Sequence, residues 1–248
     1  MKMLTRAVMI AALIAVLAQT ALAQTAEEIA EKYLTAIGGR VALGKIKSRH
    51  AIGRATFTTP DGEYSGTVEV FNQAPNKWRS LATVDLPGAG MGPITIDQRF
   101  DGISGYGMDS RWGIYEMTGN VLNNRANSSF PTPFLTLEER GATLEFARKE
   151  KVDGRDAYVV LLKPRFGSMM QCFIDAESFL LVKTIVALNV NVQQTVEFRD
   201  YRDVDGVKVP FQLKSTTGDQ SETVNVTKVE HNTAFDDDMF SKPGTRHD

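Results

Sequence analysis

Few side chains in this sequence have the spacing that catalysis or metal binding requires. The chain contains three histidines, His50, His231 and His247, and no two of them are close in sequence. Histidine is the commonest metal ligand and a frequent general base, and both roles need partners at defined positions. The separation of the three histidines therefore argues against a histidine metal centre, and we expect none.

Two other patterns resemble chemical motifs without completing them. The spacing of Asp200, Asp203 and Asp205-Gly206 looks like a calcium loop, but Tyr201 stands at the first ligand position and Gln212 at the closing one. Ser104 lies between glycines, one residue short of the spacing in a nucleophile elbow. We interpret these segments as turns, and we expect no catalytic residue, no cofactor and no enzymatic activity.

The cysteine content limits the chemistry further. Cys172 is the only cysteine, which excludes an internal disulfide and a metal centre built on several cysteines. Its neighbours Gln171, Phe173 and Ile174 are typical of a strand. We therefore predict that Cys172 is a small buried apolar residue.

Composition and charge indicate a globular protein. The 248 residues include 28 Lys and Arg against 30 Asp and Glu, and 42% of them are hydrophobic. Disordered, collagen-like and polytopic membrane proteins have different compositions. A net charge of −2 also lacks the excess of basic residues expected for nucleic-acid binding, so nucleic acid is not an expected partner.

The N-terminus has the pattern of a secretory signal peptide. Lys2 and Arg6 precede an apolar run over residues 7–18, and small residues follow at 21–23. Twelve apolar residues are too few to span about 30 Å of hydrocarbon. We expect a signal peptide over residues 1–23 and a single domain over 24–248, although an uncleaved signal anchor is the alternative. Because no cysteine directly follows the run, where a lipid anchor would be attached, we predict a periplasmic protein without a stable membrane anchor.

The mature chain begins with a helix and continues with strands. Thr25 and Glu28 form a capping box, apolar residues then recur at helical spacing, and Gly38-Gly39 can end the helix. From His50 onward the apolar period is two, and Asp-Gly pairs separate the segments. Thirteen strands of an antiparallel meander are predicted, at residues 45–58, 64–73, 77–86, 95–100, 105–108, 111–117, 143–152, 155–163, 169–175, 180–188, 192–204, 209–216 and 223–231.

One segment interrupts the strand pattern. Residues 119–141 are poor in β-branched side chains and contain Pro131 and Pro133, so we predict two short helices hinged at the prolines. A large antiparallel sheet tends to curl, and the helices would then cover its concave face. The part that contains Leu135 and Leu137 is the best candidate for a lid. The predicted fold class is mainly β (α+β), a curled antiparallel sheet with an N-terminal helix and short helices.

Strand parity predicts which side chains face the concavity. Val68, Val70, Asn72 and Ala74 share one face, which we take as the concave one, and the residues between them face the other way. Ordinary core packing is the alternative role for every inward residue. Seven large or central residues are predicted to bind a ligand: Phe57, Val68, Val70, Trp78, Ile96, Tyr106 and Trp112.

Three segments resemble the bacterial lipoprotein-localisation carriers. Residues 66–79 contain a strand, a Pro-Asn turn and an aromatic strand, residues 94–106 contain a strand, an Asp-Gly turn and an aromatic strand, and residues 236–244 resemble the family's closing segment. The sequence is also similar to the outer membrane lipoprotein-sorting protein group through residues 36–39, 152–158 and 201–210. It departs from the carriers at Ala74, where they have an arginine before Pro-Asn.

The resemblance implies an unclosed half-barrel whose cavity holds a lipid or the acyl chains of a lipoprotein. Envelope proteins are further partners that it suggests, and outer-membrane lipoprotein sorting is the role it implies. Two alternatives stay open at this point. One is an envelope interaction module in which the concavity is filled by side chains, and the other is an enzyme acting on a hydrophobic substrate.

Overall fold

The computed structural model of the protein describes residues 24–85 and 92–244. The predicted signal peptide, most of the glycine-rich loop after Asp85, and His247 lie outside these ranges. Within them, no helix is long and apolar enough to cross a membrane.

Helix α1 (Ala26–Ala36) begins at the predicted capping box. The Glu28 amide donates to Thr25 Oγ1 at 3.1 Å, and the Thr25 amide donates to Glu28 Oε2 at 3.3 Å. The apolar face of the helix, with Ile29, Tyr33 and Leu34, is buried in the largest hydrophobic cluster of the molecule. Periodicity and capping therefore identified this helix correctly.

A second helix, α2 (Gly39–Lys45), follows where the sequence predicted only a stop and the start of a strand. The prediction was wrong because Gly38, at φ 125°, ends α1 and lets a new helix begin in another direction. A Cβ on Gly38 would lie 2.5 Å from the Gly206 carbonyl oxygen, so only glycine fits this junction. The Lys208 amide donates to the Ile37 carbonyl at 3.0 Å and fixes the junction to the sheet.

The sheet confirms the predicted antiparallel meander. All thirteen predicted segments are strands, and the sheet order β6-β5-β4-β3-β2-β1-β13-β12-β11-β10-β9-β8-β7 leaves it open at both edges. The strands are β1 (Ser48–Thr59), β2 (Gly62–Gln73), β3 (Lys77–Val84), β4 (Ile94–Phe100), β5 (Gly105–Asp109), β6 (Gly113–Glu116), β7 (Thr143–Val152), β8 (Arg155–Lys163), β9 (Met170–Asp175), β10 (Leu181–Ala187), β11 (Gln193–Val204), β12 (Val207–Thr217) and β13 (Gln220–His231). The fold is thus mainly β, an unclosed half-barrel with three helices in the described ranges.

The segment between β6 and β7 contains one helix and not two. Helix α3 (Gly119–Asn127) matches the first prediction, but the second is only a 3-10 turn at Pro133–Leu135. Pro133 occupies the first turn, and the chain leaves helical geometry at Thr136, at φ −125°. This segment covers the sheet through side chains such as Phe134, which is buried against Tyr33.

The two faces of the sheet carry different groups. Helices α1 and α2 and the segment around Phe134 pack on the concave face, over inward residues of β8, β9 and β12 such as Val160, Cys172 and Val209. Burial raises the pKa of the Cys172 thiol to about 12, as expected for the buried residue that the sequence predicted. The opposite, convex face of β8 and β9 carries a smaller buried cluster with Val159 and Phe173.

The convex face of β2–β4 is covered by the chain's C-terminal segment. A 3-10 turn at Asp237–Phe240 places the fully buried Phe240 ring next to Phe235, which contacts Phe71. Arg99 donates to the carbonyl oxygens of Asp238 and Ser241 at 3.4 and 3.2 Å. We call residues 232–244 the C-terminal strap.

A buried carboxylate lies beneath the C-terminal strap. Asp97 is 2% exposed and accepts paired hydrogen bonds from Arg79, both at 2.9 Å, and from Arg99, at 2.7 and 3.1 Å. Burial by itself raises the pKa of Asp97, but the hydrogen bonds from the two guanidinium groups outweigh it and lower that pKa. The group therefore stays ionised and links β3, β4 and the strap.

Candidate functional site

The register of the strands defines the lining of the concave face. On β1 and β2, Ala55 and Val68 are buried together with Ala82 of β3, and the pairing places Ile96 of β4 beside Ala82. Val70 lies two residues from Val68 and therefore faces the same way. Asn72 and Ala74 follow on that face, while Thr67, Glu69, Phe71 and Gln73 point outward, as strand parity predicts.

Part of this face is apolar but only half-buried. Helix α1 covers the part near Val160 and Val209, whereas the side chains farther along the strands remain partly accessible. We call this second part the apolar strip, and its half-buried members are Phe57, Val70, Ile96, Val186, Val196, Phe198, Leu213 and Val224. Within the described chain, Val186, Val196, Phe198 and Leu213 join none of the three buried clusters. A concave apolar surface that the protein does not fill is suited to an apolar ligand.

The structure brings five of the seven predicted ligand-binding residues to this face. Phe57, Val68, Val70 and Ile96 lie together around one buried cluster. Trp78 lies beside them on β3, paired with Asn72.

The other two predicted ligand-binding residues lie elsewhere. Tyr106 pairs with Arg99 and therefore faces the convex side, below the Lys242 ammonium at 5.8 Å. Trp112 lies in the turn between β5 and β6 and is 80% exposed. Both residues were chosen for their size, and the size of a side chain does not show which face of the sheet it lies on.

Helix α3 connects the two halves of the sheet. The Asn124 side-chain amide donates to the Ala187 carbonyl at the end of β10, at 2.9 Å. From the other half, the side-chain amide of Asn76, in the turn that precedes β3, donates to the Ala126 carbonyl at 3.5 Å. Because β3 and β10 are six positions apart in the sheet order, the helix crosses the concavity.

The helix also places a charged residue, Arg125, against Trp78. The Arg125 guanidinium lies 3.6 Å from the centre of the Trp78 ring, a close cation–π contact. Burial lowers the pKa of Arg125 to about 10, which still leaves it protonated at neutral pH. Sequence reasoning missed this residue, because no motif marks it within the Asn-rich segment.

A carboxyl group lies at the opposite end of the apolar strip. Glu222 pairs with Phe57 across β13 and β1 and is half-buried, and no hydrogen bond or ion pair involves its carboxyl within the described residues. Burial raises the pKa of Glu222. The two ends of the strip therefore differ in charge.

Replacing Glu222 by glutamine is expected to stabilise the protein at neutral pH, by about 0.5–1 kcal/mol, because it removes a partly desolvated charge. Because the pKa of Glu222 is raised in the folded state, its protonated form favours folding. This stabilisation is fully present below the unfolded-state pKa and is lost as the pH rises through the folded-state pKa. The gain should therefore be seen in urea unfolding at pH 7 and vanish near pH 4. A gain of equal size at both pH values would contradict the role assigned to the charge.

The two histidines in the described ranges lie on different faces and do not form a site together. His50 stacks on Phe71 on the convex face and contacts Glu69 Oε2 at 2.8 Å. His231 is inward, between Asp205 and Arg49, at 3.1 Å from each. Burial and the Arg49 charge lower the pKa of His231. In the described ranges no three side chains of the metal-binding types come together.

The convex face carries a separate depression of about 270 Å³ between β11, β12 and β13. Its lining is charged or polar, with Glu197, Arg199, Gln212, Lys214 and Thr223. This composition does not match an apolar ligand, so the concave face is the better candidate site.

An open antiparallel sheet that curls around helices defines the half-barrel class of β proteins. Within that class the chain has the Lol-type fold. An outer membrane lipoprotein-sorting protein domain from Vibrio parahaemolyticus superposes with a TM-score of 0.58 at 13% identity, over 86% of this chain and 95% of that one. A LolA superfamily protein from Nitrosomonas europaea superposes with a TM-score of 0.55 at 17% identity, over 89% and 99% of the two chains.

A third similar structure comes from a different family. A DUF1329 family protein from Desulfovibrio piger superposes with a TM-score of 0.57 at 10% identity, over 88% of this chain and 98% of that one. No family model and no curated protein sequence matches the chain. At these identities the likeness establishes the fold.

Proposed function

We propose that this protein is an exported, non-enzymatic carrier that binds a lipid, lipoprotein acyl chains or another hydrophobic ligand on the concave face of its half-barrel. The observation that carries the proposal is the apolar strip, where Val196, Phe198 and Leu213 face the concavity without packing into a buried cluster. A protein that evolved only to fold would bury such side chains, because each gains roughly 1.5–3 kcal/mol on full burial.

The fold and the N-terminal sequence support the proposed place of action. Two similar structures are described as a lipoprotein-sorting domain and as a member of the LolA superfamily. Cleavage of a signal peptide after Ala23 would deliver a single domain of residues 24–248 to the periplasm, and a role in outer-membrane lipoprotein sorting fits that location.

The proposed lining of the ligand site combines residues predicted from the sequence with residues that only the structure identifies. From the sequence it keeps Phe57, Val68, Val70, Trp78 and Ile96, and it leaves out Tyr106 and Trp112, which lie outside the concave face. From the opposite half of the sheet it adds Val186, Val196, Phe198, Leu213 and Val224.

Replacing Leu213 by glutamate is expected to weaken binding of a fluorescent fatty-acid analogue by at least about tenfold, since a carboxylate in the strip must be desolvated by the ligand. Gln212→Glu is the matched control, because it puts the same charge on the same strand but on the convex face. The readout is a titration of delipidated full-length protein. Equal binding by both variants, or no binding by the unaltered protein, would overturn the proposal.

A further inference from the structure

We propose that Arg125 binds an anionic headgroup, so that the ligand is an amphiphile with a carboxylate or phosphate head and not a neutral lipid. This inference rests on the proposed function and names the ligand class for the same site. Three observations carry it: the position of Arg125 at one end of the apolar strip, its lack of an anionic partner, and the charge at the other end.

Arg125 lies where the apolar strip begins. Trp78, on which its guanidinium stacks, pairs with Asn72 on β2 and with Phe100 on β4, and all three face the concavity. Val70, a member of the strip, is two residues from Asn72, which corresponds to about 7 Å along a strand. An anion bound to Arg125 therefore has its apolar continuation next to Val70.

The guanidinium of Arg125 has free hydrogen-bonding capacity. An arginine side chain carries five N–H donors, and within residues 24–85 and 92–244 none of those of Arg125 meets a protein acceptor. Other partly buried arginines behave differently: Arg79 and Arg99 share Asp97, and Arg140 donates to the Ala126 carbonyl at 2.7 Å.

Stacking on Trp78 leaves the edge of the guanidinium group available. A cation–π contact uses the flat face of the group, whereas carboxylates and phosphates bind in the plane through two N–H donors. Burying a charge without a counter-charge is costly, and an incoming anion removes that cost. The site is therefore built to accept a planar or tetrahedral oxyanion, and Trp78 holds the guanidinium group in place for it.

The charge at the far end of the strip favours one orientation of the bound ligand. From Val70 to the level of Tyr64, which pairs with Phe57, the strip runs six residues along β2, about 20 Å. This is about the extended length of a common fatty acyl chain. Glu222 lies at that end beside Phe57 and would repel an anionic head. The head is therefore expected at Arg125 and the methyl end near Glu222.

The test compares amphiphiles that share a chain and differ in the head. Delipidated full-length protein is titrated with palmitate, with 1-palmitoyl lysophosphatidic acid and with 1-hexadecanol, and binding is measured by equilibrium dialysis. We expect at least one anionic amphiphile to bind about tenfold or more tightly than the alcohol, and the stronger of the two identifies the head. We expect Arg125→Gln to remove this preference while the affinity for the alcohol stays within about twofold.

Two further variants control the experiment. Arg148→Gln removes an arginine that is 48% exposed on the edge strand β7 and should leave the preference unchanged. Arg125→Lys keeps the charge and should retain part of the preference. Equal affinity of the unaltered protein for all three ligands, or a preference that survives in Arg125→Gln, would overturn the inference and leave the proposed function standing. Failure to bind any of the three would count against both.

Discussion

Replacement of Asp97 by alanine is expected to lower the free energy of unfolding by about 3–5 kcal/mol, the cost of leaving buried charges without their counter-ion. Arg79 and Arg99 are both about 15% exposed, so neither can recover full hydration when the carboxylate is lost. Because Arg99 also holds the carbonyl oxygens of Asp238 and Ser241, the C-terminal strap should loosen first. Urea unfolding measures the loss, and limited proteolysis should cleave the strap before the sheet.

The pH dependence of this effect has a definite sign. The folded-state pKa of Asp97 is lowered, so its contribution is present above the unfolded value of about 3.9 and is lost as pH falls through the folded value. The difference between the unaltered protein and Asp97→Asn should be constant from pH 7 to about pH 5 and shrink in more acidic solution. Asp156→Ala is the control: its carboxyl, 51% exposed, pairs with Lys151, and solvent screens that pair, so its loss should cost far less than the loss of Asp97. A similar loss from both variants would contradict the assignment.

Replacement of Phe134 by alanine is expected to cost about 3–5 kcal/mol, since it leaves a large cavity between α1 and the sheet. Phe134 is 2% exposed and meets the Tyr33 ring edge-on, with ring centres 5.1 Å apart. The side chain holds the segment between α3 and β7 on the concave face. Chemical denaturation measures the cost, and increased binding of an apolar dye would show that the concave face has become more exposed.

The matched control for this variant is Phe166→Ala. Phe166 lies in the loop between β8 and β9 and is 67% exposed, so its removal should change stability by about 0.5 kcal/mol or less. Equal destabilisation by the two variants would show that the segment around Phe134 is not a structural anchor.

The local elements were predictable because local signals determine them. The capping box at Thr25 and the Asp-Gly turns act within a few residues, and the alternating pattern on β2 sorted Val68 and Val70 from Thr67 and Glu69 correctly. Helix α2 escaped prediction because its beginning depends on the approach of Gly38 to Gly206, a contact between residues far apart in the chain.

The candidate site was predictable only on one half of the sheet. Parity within β2 found Val70, and side-chain size singled out Trp78. Neither could show that Leu213 and Phe198 complete the strip, since that depends on the pairing of β11, β12 and β13. Arg125 was not predictable at all. Its proposed role depends on the position of α3 across the concave face, and no pattern in the Asn-rich segment indicates where that helix packs.

The open edges of the sheet have a mechanical consequence. In a closed barrel, strand number and stagger fix the radius, because every strand is hydrogen-bonded on both sides. Here β6 and β7 do not pair, and α3 connects the two halves through a few amide side chains such as Asn124 and Asn76. The width of the half-barrel is therefore set by side-chain contacts, which deform more easily than the backbone hydrogen bonds between paired strands. Such a wall can widen or narrow without breaking a backbone hydrogen bond of the sheet, which would let the proposed carrier bind ligands with one or with several acyl chains.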